Sequence, residues 1–183
     1  MPKIRIALSL FLLAPAWLGA AELYLGFGAG EKVATSQFEA PVQGLAVEAL
    51  DESWKLYGGV DLGRHLGVEG TYYDFGSRTC CPNLADAGFD TRLDGYSIAL
   101  VGRLPLDRVE LFAKAGALWW EEGGHEITIA GPRPLSSEGT GALFGVGVSV
   151  RILENLGLRA EWETFDLGGD SASSLWLAAD IRF

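Results

Sequence analysis

From Glu22 to the last residue the chain alternates with a period of two, and no other property of the sequence narrows the possible folds as much. In the first segment Leu23, Leu25, Phe27 and Ala29 share one face, while Tyr24, Gly26, Gly28 and Gly30 share the other. Seven further segments repeat the pattern, running through Trp54–Leu62, Leu66–Tyr73, Tyr96–Leu104, Val109–Trp120, Ala142–Arg151, Leu158–Phe165 and Ser174–Phe183. Over these eight segments one face carries no Asp, Glu, Lys or Arg, whereas the other carries twelve. The twelve balance: Asp61, Glu69, Glu110, Glu161, Glu163 and Asp180 stand against Lys55, Arg103, Lys114, Arg151, Arg159 and Arg182. An unpaired buried ion costs several kcal/mol, so a balanced set of this kind belongs to a sequestered space in which charges meet partners. With 25 glycines and 11% aromatic residues, the composition suits close-packed, strongly curved strands better than helices.

The connections alternate too. Short links follow segments two, four and six, near Gly63 to His65, Pro105 to Arg108 and Ile152 to Leu156. Long ones follow segments one, three, five and seven, about Glu31 to Ser53, Gly76 to Asp94, Glu121 to Gly141 and Asp166 to Ser173. An even number of strands with short turns at one end and long loops at the other is the pattern of a transmembrane barrel. Only a closed sheet of strands satisfies every backbone polar group in lipid. The expected fold is therefore an all-β, eight-stranded, antiparallel up-and-down transmembrane barrel. Trp54, Tyr72, Tyr96, Trp119 and Trp162 then face outward near the long-loop end, where an aromatic belt sits at a membrane interface. The rival all-β reading, a soluble lipocalin-like barrel around a ligand, inverts the faces and puts glycines and paired charges on the outer wall.

Lys3 and Arg5, an apolar stretch from Ile6 to Leu18, and the small residues Gly19, Ala20 and Ala21 follow the three-part plan of a secretory signal peptide. The expected division is a leader over residues 1–21 and a barrel over 22–183, with cleavage after Ala20 as the close alternative. The apolar core is short of the ~20 residues that a spanning helix needs.

A net charge of −10 has the wrong sign for tracking a phosphate backbone, which argues against nucleic acid. Loss of Lys3 and Arg5 with the leader makes it −12, and since the interior set cancels, the excess lies in loops and turns. Acidic loops repel phosphate directly. Their expected partner is the phosphate-rich lipid of an outer leaflet, lipopolysaccharide included, reached through divalent cations. Two cysteines and two histidines leave little room for a metal site, and no cofactor is expected. Cys80 and Cys81 are adjacent in the second long loop and read as a loop disulfide sooner than as redox chemistry. Gly26, Gly28 and Gly30 look superficially like a nucleotide fingerprint, but no βαβ unit follows.

The stretch Leu66-Gly-Val-Glu-Gly-Thr-Tyr-Tyr-Asp-Phe-Gly76, then Leu111-Phe-Ala-Lys-Ala-Gly116, Leu158-Arg-Ala-Glu-Trp162 and the closing strand ending in Phe183 resemble the OmpA-like transmembrane domain family of small Gram-negative outer-membrane barrels. OmpX is a related eight-stranded form. The resemblance implies a salt-bridge network plugging the barrel, with Glu69, Lys114 and Glu161 at the matching positions and Arg182 or Arg103 as the further cation. It implies that Phe183 is a terminal signal read by the barrel-assembly machinery. Because the chain stops at Phe183, the peptidoglycan-binding module of full-length OmpA is not expected. Lipid A deacylases are barrels of similar size, but their catalytic His is followed two positions later by Ser, and His125 is followed there by Ile127. The expectation is a non-enzymatic protein of the bacterial outer membrane, serving envelope integrity or surface interaction through its long loops, whose ligand stays open. A small pore and a lipid-modifying enzyme are the alternatives.

Overall fold

A computed structural model describes residues 21–30, 34–35, 47–48, 53–80, 88–128 and 131–183. Their regular structure is entirely β: β1 (Ala21–Gly30), β2 (Ala34–Thr35), β3 (Val47–Glu48), β4 (Ser53–Leu62), β5 (Leu66–Cys80), β6 (Gly88–Leu106), β7 (Val109–Thr128), β8 (Gly131–Arg151), β9 (Leu156–Leu167) and β10 (Asp170–Arg182). The eight long strands pair antiparallel with their neighbours in chain order, and β10 returns to β1 from Tyr24 opposite Arg182 to Gly30 opposite Trp176. The sheet is thus a closed up-and-down barrel. The dipeptides β2 and β3 add to its rim, Ala34 opposite Ser173 and Val47 opposite Cys80. The leader reading falls on residues 1–20, outside the described residues, and on Ala21, which is already strand and lies opposite Leu62.

Alternation becomes inside and outside. Leu177 is 66% exposed while its neighbour Trp176 is fully buried, and the same contrast runs through the part of each barrel strand between the short turns and the aromatic belt. The charge-free apolar set faces outward and the charges face inward, which excludes the inverted, lipocalin-like arrangement. Inner-face glycines serve as seats for rings. Gly59 lies opposite Tyr24, Gly30 opposite Trp176 and Gly147 opposite Phe112. A Cβ there would stand 2.3, 2.4 and 2.3 Å respectively from those rings.

One end is tight. Its connections are Gly63–His65, Asp107–Arg108 and Ile152–Asn155, with Gly63 at φ 96° and Asp107, a non-glycine residue, at φ 59°. The other end departs from expectation. Residues 76–94 and 121–141, expected as loops, are mostly strand: β5 continues to Cys80, β6 starts at Gly88, β7 reaches Thr128 and β8 starts at Gly131. The expected link from Asp166 to Ser173 is a two-residue turn, Gly168–Gly169, with φ of 75° and 111°. Apolar periodicity stops once both faces meet water, but neighbouring arms go on hydrogen bonding, so the ladder outlives the pattern that revealed it.

Candidate functional site

The lumen is filled in three layers. At mid-height Lys55 from β4, Glu69 from β5, Lys114 from β7, and Arg159, Glu161 and Glu163 from β9 form one cluster of three cations and three anions, none more than 4% exposed. The Lys55 ammonium lies 2.5 Å from Glu161 and 3.1 Å from Glu163. Lys114 reaches Glu69 and Glu161, both at 2.9 Å, and also pairs with Glu163. Arg159 bridges Glu69 at 2.7 Å and Glu161 at 2.9 Å. The remaining faces of the cations are covered by rings, since the Arg159 guanidinium stands 4.0 Å from the centre of Phe112 and Lys55 stands 4.9 Å from that of Trp176. Positive charge against a ring face is favourable, more so away from water.

Towards the short turns lies a second charged layer. Arg103 pairs with Asp61 at 2.9 Å and Glu110 at 2.6 Å, and Arg182 with Glu110 at 3.2 Å and with Asp61 and Asp180 at 3.5 Å. Tyr24 joins the two layers: its hydroxyl donates to Glu69 at 3.1 Å, while its ring covers Arg103 at 4.9 Å. Arg151, the sixth cation of the inward-facing set, is exposed at the rim.

Towards the long hairpins the lumen is closed by an aromatic plug. Tyr73, Phe75, Phe165 and Trp176 are buried with Leu93, Leu118 and Leu143. Tyr73 stacks on Phe75 at 5.2 Å, and Phe165 stands edge-on to both, at 5.3 and 5.1 Å. The Tyr73 hydroxyl donates to Glu163 at 3.1 Å and ties the plug to the ions beneath it.

Of the five charges expected to form one network, Glu69, Lys114 and Glu161 meet directly. Arg103 and Arg182 do not join them. Both belong to the second layer, because they sit near the short-turn ends of β6 and β10, well down the barrel axis from Glu69. The further cations beside Glu69 are Arg159 and Lys114, with Lys55 completing the cluster. Parity puts Lys55, Arg159 and Glu163 on the inner face but does not assign them to the network, and the plug is absent from the sequence-based expectation. Its signal was present: Tyr73, Leu118, Leu143, Phe165 and Trp176 fall on the inward parity of their segments, all at the long-hairpin end.

Outside, Tyr72, Tyr96 and Trp162 are exposed, while Trp54 and Trp119 are partly covered by ring neighbours. Trp54 lies 5.5 Å from Tyr72, and Tyr96 stacks on Trp119, also at 5.5 Å. Phe183 is 76% exposed, and its backbone N–H donates to the Leu23 carbonyl at 2.9 Å. Cys80 ends β5 opposite Phe89, and its expected partner Cys81 lies outside the described residues. His125 is exposed on β7, between Asp90 and Pro134 of the adjoining strands. Among the described residues no group of three or more His, Cys, Asp or Glu is placed to hold a metal ion.

Solved structures share this architecture. The chain is similar to Ail, the attachment invasion locus protein of Yersinia pestis, solved in complex with the heparin analogue sucrose octasulfate, with a TM-score of 0.61 at 17% identity over 89% of this chain and 97% of that one. A major outer membrane protein from Thermus thermophilus gives a TM-score of 0.60 at 15% identity over 90% of this chain and 100% of the other. Neisserial surface protein A gives 0.59 at 13% identity over 88% and 97%. At these identities the likeness is one of fold. No curated protein matches the chain in sequence. The model of the outer membrane protein beta-barrel domain matches residues 6–183, nearly the whole chain, and the protein belongs to that family.

Proposed function

We propose that this outer-membrane protein is a sealed, non-enzymatic barrel that holds its place in the membrane and presents a projecting sheet to partners outside. The lumen carries the reading. A plug of four buried rings over a neutral cluster of six buried ions, with a second charged layer below, supports it. Eight strands enclose an interior just wide enough for side chains to fill. Proteoliposomes holding the purified barrel should therefore retain a small-sugar gradient as well as empty vesicles do, and the protein should release no acyl chains from lipid A. Swelling at a rate proportional to protein, or acyl release, would overturn the reading.

The catalytic alternative rests on His125, which is exposed and whose ring has no hydrogen-bond partner among the described residues to orient it as a base. Surface interaction has better support. Past Trp119 the β7–β8 ladder runs on to Thr128 opposite Gly131, about nine residues or ~30 Å beyond the belt. β9 pairs with β8 only from Leu143 onward and its Asp166 still packs against Gly141, so among the described residues it is the Pro132–Thr140 stretch that has one edge without a paired strand. Pro132 and Pro134 blunt the tip of that edge, and Leu135 to Thr140 offer main-chain groups to an extended partner segment.

The belt residues Trp54, Tyr72, Tyr96, Trp119 and Trp162 anchor the barrel at the outer interface. Just above them Asp74, Asp94, Glu121 and Glu138 form one cross-strand row over β5 to β8, with Arg92 paired to Asp74. Divalent cations bridge single carboxylates of this row to lipopolysaccharide phosphates, which supply the other ligands. A polyanion such as the heparin analogue bound by Ail is a poor ligand for a surface of this sign. Phe183, held at the rim with its ring exposed, serves as the signal for the barrel-assembly machinery, and residues 1–21 as the leader that directs export.

A further inference from the structure

The charges at the short-turn end behave unlike those of the lumen. Asp107 and Arg108 form the second short turn, and Arg151 and Glu154 flank Ile152 and Leu153 in the third. The two turns touch, since the Arg151 N–H donates to the Arg108 carbonyl at 2.9 Å. A surface groove between them is lined by all six of these side chains. It holds two cations and two anions, yet none of the four forms an ion pair among the described residues, whereas the lumen pairs its charges closely. Ile152 and Leu153 are 51% and 59% exposed, in a turn that water alone would favour as polar. Just beyond the groove Val109 and Val150 face each other in register on the outward surface, both exposed. Asp107 keeps its carboxylate here at φ 59°, where glycine or asparagine would be less strained.

We propose that this groove is a binding site for a phospholipid of the periplasmic leaflet carrying a zwitterionic phosphoethanolamine headgroup. Short turns lie on the periplasmic side of such barrels, at the level of inner-leaflet headgroups. The phosphodiester sits between the Arg108 and Arg151 guanidinium groups, which donate paired hydrogen bonds to its oxygens. The primary ammonium donates to Asp107 and Glu154. Ile152 and Leu153 take the glycerol end, and the acyl chains run along Val109 and Val150. Two charges of each sign match a zwitterion and disfavour a purely anionic headgroup, which leaves the two carboxylates facing negative charge. This rests on the barrel's residence in the outer membrane and is independent of whether its lumen conducts.

Native mass spectrometry of the folded, detergent-solubilised barrel tests the assignment with phosphatidylethanolamine, phosphatidylcholine and phosphatidylglycerol added in turn. Retention of a single phosphatidylethanolamine is expected, about tenfold over phosphatidylcholine, whose methylated ammonium cannot donate hydrogen bonds. The Arg108→Gln/Arg151→Gln variant should lose that retention. The Asp107→Asn/Glu154→Gln variant should shift preference to phosphatidylglycerol, while Arg64→Gln, in the other short turn, should change nothing. Equal retention of the three lipids by the unmodified protein, or a preference that survives both double variants, overturns the site. Heat-modifiability on a gel reports that each variant is folded, and the unmodified protein's preference decides the matter even where a variant is not.

Discussion

The ion cluster and the aromatic plug share one lumen and are tied through the Tyr73 hydroxyl, yet they hold the barrel together by different physics. Glu69 alone contacts Lys114, Arg159 and Tyr24, so no pair in the cluster is separable from the rest. The plug is built of ring contacts between 5.1 and 5.8 Å, each modest, and its cohesion rises with buried area. Losing one ion strands its partners in a buried space. Losing one ring removes that ring's contacts and leaves a cavity. The cluster therefore sets which arrangement is allowed, and the plug supplies tightness.

The largest effect should come from breaking the cluster's neutrality. Glu69→Gln leaves Lys114 and Arg159 short of an anion, with an expected loss of ~3 to 5 kcal/mol in urea unfolding from lipid vesicles. Adding Lys114→Met restores the balance of charge, and the double variant should recover much of that loss; strictly additive losses would mean that the cluster is not coupled. Trp176→Ala in the plug should cost about 3 kcal/mol without any such rescue. Gly59→Ala tests the seats between layers, because its methyl would collide with the Tyr24 ring and the Val68 carbonyl, and a loss of ~1 to 3 kcal/mol is expected. Ser136→Pro on the open edge of β8 shares the parity of Pro132 and Pro134 and should change stability by less than ~0.5 kcal/mol while reducing capture of extended partner segments.

The contrast also explains what the sequence could disclose. Parity is a binary choice per strand, so the outward set from Leu23 to Ile181 and the inward set of charges were legible at once. Height along the axis was not. It depends on stagger between strands, which periodicity does not encode, and so Arg182 or Arg103 is expected as the further cation of the Glu69 network when both lie a layer below. The plug shared the lumen's parity but carried no charge to draw notice. The extended hairpins were missed for a related reason. Beyond the belt, stretches such as Ser136–Glu138 meet water on both faces, and backbone pairing alone keeps them in strands.

Ion flow through single molecules in a planar bilayer tests the sealed lumen most directly. The unmodified protein should insert without steady current over a wide voltage range, and so should Trp176→Ala, whose cavity is still closed below by the ion cluster. Steady ohmic conductance from the unmodified protein would contradict the account: the paired charges would then line a pore.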